Sequence, residues 1–202
     1  MLKLCLKYSL ITSAVFITTW DKICYFSRVD GASMQPLINS NKNKKDFVFI
    51  IRPLSLSSLF GRPSMESILK RGDVVSLISP KNPKECFLKR VVGLPGDLVR
   101  TINYKKKYVV VPEGHCWLEG DNYPKSYDSN NFGCVPMALV IGQAKAIIFP
   151  RLTPIKSDLP NHRILKPIDN KNTQESSYLV DFKSKYDAGD FDVYEQEDED
   201  DN

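Results

Sequence analysis

At 202 residues, 42% hydrophobic and 26% charged, the chain is long enough for one domain with a buried core plus appendages. Its formal charge of +4 conceals two unlike parts: residues 169–202 carry twelve acids against three lysines, a net of −9, and residues 1–168 a net of +13. The lysines of the body are scattered, with short runs only at 42–45 and 105–107, which reads as a solvated face and not as a nucleic-acid-binding surface. Five cysteines without a CxxC pair, and only two histidines, His115 and His162, exclude zinc-ligand spacing, and no cofactor is implied. A disulfide within the set Cys86, Cys116 and Cys134 is left open, with packed free thiols as the default.

The chain opens with an uncharged run, Tyr8 to Trp20, bounded by Lys3 and Lys7 before it and Asp21 and Lys22 after it. Thirteen residues are short against the roughly 20 of a membrane-spanning helix. A cleaved signal peptide, a buried helix, and an anchor lengthened by snorkelling lysines compete for it. The small-x-small cleavage pattern is weak, and Trp20, Tyr25 and Phe26 suit an interfacial belt, so the anchor is preferred and is expected over residues 1–27. Lys3 and Lys7 then mark the positive-inside end.

Residues 28–153 read as a β-rich body. Phe47–Ile51, Asp73–Ile78, Cys86–Val92, Leu98–Asn103, Tyr108–Val111, Cys116–Glu119 and Leu139–Phe149 are apolar, β-branched or aromatic runs separated by turn residues, a spacing that predicts a mostly β, barrel-type domain. Residues 52–70 read as a loop with one short helix. Arg71-Gly72 and Leu94-Pro95-Gly96-Asp97 read as turns, proline presetting φ and glycine supplying φ > 0. From Pro154 the chain turns polar and acidic, and residues 154–202 are expected to be a disordered tail.

Two residues in this body carry nucleophilic chemistry if they meet. Ser33, in Gly31-Ala32-Ser33-Met34-Gln35-Pro36, offers a hydroxyl that needs a base. Lys89 lies in Phe87-Leu88-Lys89-Arg90-Val91-Val92, where alternation puts it on one face with Phe87 and Val91 and puts Arg90 on the other. Burial on an apolar face depresses a lysine pKa by up to roughly 3–5 units and turns the amine into a base. Read singly, each has a plainer reading: an ordinary Gly-x-Ser turn, and a lysine on an edge strand facing water. A third segment, the polar loop Glu119 to Gly133, is dense in hydroxyls, carboxylates and amides. It reads either as a surface loop or as one that folds back to hydrogen-bond the amine.

Four boxes occur in order: Gly31-x-Ser33-Met34-x-Pro36, Arg71-Gly72-Asp73-Val74-Val75, Lys89-Arg90-Val91-x-Gly93-x-Pro95-Gly96-Asp97, and Gly120-Asp121-Asn122 with Ser126-x-Asp128-Ser129. Together they resemble the type I signal peptidases, the Ser/Lys membrane endopeptidases, and most closely their mitochondrial inner-membrane branch, in its subunit 2 form. The resemblance implies a signal-peptidase-like catalytic domain behind one membrane helix. It implies Ser33 as nucleophile, Lys89 as general base, Ser126 hydrogen-bonded to the Lys89 amine, and Asp128 paired with Arg90. It also implies a homologous subunit 1 as partner in a heterodimer, precursors with bipartite presequences as substrates, inner-membrane lipid as support, and a catalytic domain facing the intermembrane space. Gly31 stands where bacterial relatives often have a serine that helps the oxyanion hole, and Asn130 where many have arginine. A non-catalytic stabilising subunit is the alternative, and the presence of both Ser33 and Lys89 counts against it. A self-cleaving DNA-binding repressor of similar fold needs a helix-turn-helix that the N-terminus cannot supply.

Overall fold

The computed structural model describes residues 8, 9, 12, 22–41, 44–52, 65–158, 164–166 and 191–192. Most of the expected anchor therefore lies outside the described residues, and among those described no helix is long and apolar enough to cross a membrane. The part of the anchor that is described is not helical beyond Ile23: Cys24–Arg28 forms strand β1, paired antiparallel with β2 (Phe47–Ile51) in the register Phe26 opposite Phe49. Residues 24–27 thus belong to the β body. Their aromatics pack across strands onto partners that a bilayer helix would have denied them.

β2 continues the sheet into β9 (Val140–Phe149), then β3 (Val74–Ile78), β4 (Cys86–Gly93), β7 (His115–Glu119) and β8 (Val135–Pro136), with β10 (Thr153–Pro154) on the far side of β9. Every pairing in this sheet is antiparallel. The path has two ends, β1 and β8, so among the described residues the sheet is open, not closed into a barrel. A one-turn helix, α1 (Met65–Ile68), precedes β3.

Central strands are covered on both faces. On β3, Val75 and Leu77 join Val91, Leu118 and Val140 in one cluster, while Val74 joins Met34, Ile38, Val48 and Ile50 in another. A second sheet, β11 (Ile164–Lys166), β5 (Leu98–Arg100), β6 (Tyr108–Val110) and β12 (Phe191–Asp192) in spatial order, is joined to the first through Val92, Val99, Val109 and Trp117. Both expected turns are present: Gly72 has φ +90° and Gly96 φ +79°, and the Asp73 and Asp97 N–H groups donate to Lys70 and Leu94 carbonyls three residues back. Asp97, wholly buried, locks the second turn by accepting from Leu94 N–H at 2.8 Å and from Arg71 at 2.6 Å through both carboxylate oxygens.

The expected boundary at 153/154 falls inside β10. Beyond it, Ile155 packs on the Met34 cluster and its N–H donates to the Lys145 carbonyl at 2.9 Å, and the Ser157 hydroxyl donates to Asp73 at 2.7 Å. Pro-rich, polar composition concealed this because the segment is held by one partly buried isoleucine, one backbone hydrogen bond and one serine hydroxyl. The rest of the tail lies outside the described residues, apart from β11 and β12, which pair with β5 and β6. A chain stopped after residue 153 is expected to be about 2–4 kcal/mol less stable than one stopped after 158, from the lost isoleucine burial and hydrogen bonds. Urea denaturation of the two forms checks this.

Candidate active site

Ser33 sits on the connection between β1 and β2, and the sequence ties that loop down at both ends. Met34 and Ile38 plunge into the core, with Ile38 N–H donating to the Met34 carbonyl at 2.9 Å. Asn39, at φ +56° where asparagine is among the few tolerated side chains, closes the loop. Its amide donates to the Val29 and Gly31 carbonyls (2.8 and 2.9 Å), its side-chain oxygen accepts from Asp46 N–H (2.8 Å), and its own N–H donates to the Asp46 carboxylate (2.8 Å).

Lys89 is buried in mid-strand on β4, opposite Val75 of β3, with its amine 5.6 Å from the centre of the Phe87 ring. Desolvation by this apolar face lowers its pKa from 10.5 to about 8, against the opposing pull of the nearby Asp128 carboxylate. The amine donates to Ser126 Oγ at 3.1 Å, and the Ser126 hydroxyl donates in turn to Asp128 Oδ2. Asp128 is fixed as the N-cap of α2 (Ser129–Phe132), accepting from Asn130 N–H at 3.0 Å and from Gly120 N–H at 2.9 Å. Because Ser126 spends its proton on Asp128, its oxygen is available to an N–H of Lys89, which turns the amine's lone pair away from Ser126. The polar loop therefore does fold back onto the amine.

Ser33 reaches this cluster through its backbone. Its carbonyl accepts from Asn122 N–H at 2.8 Å, and the Asn122 amide donates to the Ala32 carbonyl at 3.0 Å. Gly120 is wedged between the two loops: a Cβ there would stand 2.5 Å from the Ser33 carbonyl oxygen and closer still to the Ser126 hydroxyl. Among the described residues the hydrogen bond of the Lys89 amine goes to Ser126 and not to the Ser33 hydroxyl. Catalytic contacts of this kind commonly tighten only when substrate is in place.

The structure corrects one pairing. Arg90, on the opposite face of β4 as alternation requires, is matched by Asp121 and not by Asp128: Nε and Nη2 donate to the two Asp121 oxygens, each at 2.8 Å. Its Nη1 donates to the Gly72 and Lys156 carbonyls. Asp128 cannot serve both sides of the strand, because it points to the Lys89 face. Asp121 and Asn122 belong to a box whose spacing was visible in the sequence, but no residue pattern reveals which carboxylate an arginine reaches. Asn130 is also placed: its side-chain oxygen accepts from Ile102 N–H at 2.8 Å and its amide donates to Glu119 at 3.0 Å, joining α2 to β7 and the β5–β6 turn. Among the described residues Cys24, Cys86 and Cys116 form no disulfide, and burial pushes the Cys116 thiol up to about 12.

An open antiparallel sheet that holds a buried lysine, partnered by a serine, beside a serine-bearing loop defines a class. The chain belongs to the family described as signal peptidase, peptidase S26, whose sequence profile matches residues 2–107 and 100–149. It is 43% identical over 136 residues to mitochondrial inner membrane protease subunit 2 of Danio rerio, covering 67% of this chain and 70% of that protein. It is 39% identical over 151 residues to the Mus musculus protein of the same name, covering 74% and 82%. To mitochondrial inner membrane protease subunit 1 of Schizosaccharomyces pombe it is 36% identical over 121 residues, covering 59% and 70%.

Two predictions follow from the electrostatics. In double-mutant cycles read by denaturation, Arg90 is expected to couple to Asp121 by about 1–3 kcal/mol and to Asp128 by less than about 0.5 kcal/mol. The second concerns Lys89, whose folded pKa lies below its unfolded value. Below about pH 8 both states are protonated and the fold carries the whole cost of a desolvated ammonium, about 3 kcal/mol for a shift of this size. That cost fades as pH rises from about 8 towards 10.5. Lys89→Met is therefore expected to stabilise the fold at pH 7 by about 1–3 kcal/mol, with the advantage shrinking at pH 10, as measured by thermal melts at both pH values.

Proposed function

We propose that the chain is a membrane-anchored serine endopeptidase that removes sorting presequences from proteins delivered to the mitochondrial intermembrane space. The observation that carries this reading is the buried Lys89 amine with a pKa lowered to about 8, held by Ser126 beside the loop that bears Ser33.

In this reading the neutral amine of Lys89 takes the proton of the Ser33 hydroxyl as Ser33 Oγ attacks the scissile carbonyl. The backbone N–H of Ser33 stabilises the developing oxyanion. Gly31 has no side chain to lend a second donor, although a Cβ there would meet nothing within 4 Å. The Lys89 ammonium then protonates the leaving amine, the acyl-enzyme forms, and the neutral lysine activates a water for hydrolysis. Ser126 and Asp128 hold the amine in position, and Arg90–Asp121 holds the polar loop against β4 from behind.

Several features support a membrane setting. Three residues separate β1 from the apolar run at 8–20. Phe26 stacks on Phe49 (5.4 Å between centroids) and Phe47 on Phe149 (6.2 Å), forming an aromatic outer face on β1, β2 and β9, with Phe26, Phe149 and Leu152 exposed. Such a face suits the bilayer interface beside an anchor. With Lys3 and Lys7 on the matrix side, the catalytic domain faces the intermembrane space. The curated relatives named as subunits 1 and 2 support a heterodimer of this chain with a homologous subunit 1.

The test is processing of a bipartite precursor by membranes containing this chain and its partner subunit. Ser33→Ala and Lys89→Met are each expected to lower the cleavage assigned to this chain by at least about a thousandfold, and kcat/KM of the unmodified chain is expected to rise with pH through about 8. Undiminished processing by either variant would instead support the non-catalytic stabilising subunit.

A further inference from the structure

A cavity of about 200 Å³ adjoins the nucleophile loop, and its rim is cationic. Its lining includes Gly31-Ala32, the two residues before Ser33, Lys125, the residue before Ser126, and Lys44 and Lys45. The walls are mutually fixed. Asn122 donates to the Ala32 carbonyl and caps the turn from Tyr123 to Lys125 that carries Lys125. Asn39 ties Gly31 to the segment that leads into β2.

The charges in the cavity do not cancel. Asp30 is its one carboxylate among the described residues, and it is already engaged by Arg28 at 3.2 Å and by Lys45 at 3.6 Å, while the Lys45 amine also donates to the Asp30 carbonyl at 2.7 Å. Among the described residues Lys44 and Lys125 have no carboxylate within ion-pair distance. Two ammonium groups are thus left over in the lining of a recess that borders the chain neighbours of Ser33 and Ser126. The recess therefore lies close to where a peptide would present its scissile carbonyl to Ser33, because Gly31-Ala32 and Lys125, which line it, adjoin Ser33 and Ser126 in the chain.

We propose that this recess is a specificity subsite that receives an acidic side chain of the substrate polypeptide close to the scissile bond, with Lys44 and Lys125 as its selecting residues. The inference rests on the peptidase reading and names a feature of the substrate that the reading leaves open. Exposed ion pairs give on the order of two- to fivefold each, so the pair of lysines produces a preference of roughly tenfold, and one that weakens as salt is raised.

The experiment uses the full chain with its partner subunit and three synthetic peptides that share one cleavable core and carry Asp, Asn or Lys beside the scissile bond. Two readouts are taken: the ratio of kcat/KM values between peptides, and fluorescence anisotropy of the labelled peptides on the Ser33→Ala chain, which needs no turnover. The Asp peptide is expected to lead the Lys peptide by roughly tenfold in both. Lys44→Glu/Lys125→Glu is expected to reverse the order, Lys44→Glu alone to reduce it, and Lys44→Arg/Lys125→Arg to keep it. An Asp-to-Lys ratio within about twofold of unity, or one that the Glu variants leave in place, overturns the inference. Binding of the Asp peptide only after residues 169–202 are removed overturns it too, since the chain's own acidic tail would then fill the recess. If no peptide is cut but the Ser33→Ala chain still binds the Asp peptide through Lys44 and Lys125, the recess stands and the peptidase reading falls.

Discussion

The protein depends on keeping one ammonium-forming side chain out of water. Lys89 occupies a mid-strand position where Phe87 and Val91 share its face and Val75 lies opposite, and among the described residues two polar groups answer its amine: the Ser126 hydroxyl, by a hydrogen bond, and the Asp128 carboxylate, at longer range. Desolvation outweighs the carboxylate, and the amine titrates about 8 instead of 10.5. A single strong salt bridge at that position would have abolished the effect by holding the proton. The intervening Ser126 hydroxyl lets Asp128 orient the lysine without claiming its charge, because the carboxylate's own acceptor capacity is taken up by Ser126, Gly120 N–H and Asn130 N–H.

The rest of the site is built from loops, and the loops are made rigid by asparagines and a few carboxylates. Asn39 and Asn130 each use both a donor and an acceptor, and Asn122 its backbone and side-chain donors, to join segments separated in sequence. Asn122 spans from the Ser33 loop to the loop that carries Ser126. Gly120 lets the two approach to a distance that a Cβ would forbid. On the back of β4, Arg90 gathers Asp121, the Gly72 carbonyl and the Lys156 carbonyl, so the strand that presents Lys89 is held from both faces, one apolar and one ionic.

Much of this was legible in the sequence because period-two alternation and turn chemistry are local properties. The strands from Phe47 to Phe149, the glycine turns at Gly72 and Gly96, and the opposite-facing placement of Lys89 and Arg90 all follow from them. Pairings between distant loops do not. The same box contains Asp121 and Asp128, and only the fold decides which one meets Arg90. Residues 24–27 looked like the end of an anchor because aromatics suit an interface and a β strand equally well. Ile155 and Ser157 looked like tail because two anchoring residues in a polar segment leave no periodic signal. The cationic recess is equally invisible, since Lys44 and Lys125 are about eighty positions apart and read singly as solvated lysines.

The central claim is that the fold itself lowers the basicity of Lys89, and its most direct measurement is an NMR titration of the Lys89 side chain, selectively labelled and assigned by loss of the signal in Lys89→Met. A midpoint of about 8, with the other lysines titrating above 10, is the expected result. A Lys89 midpoint in the ordinary lysine range would contradict the account, since the neutral fraction of the amine at physiological pH would then be smaller by roughly two orders of magnitude or more and too small to serve Ser33 as a base.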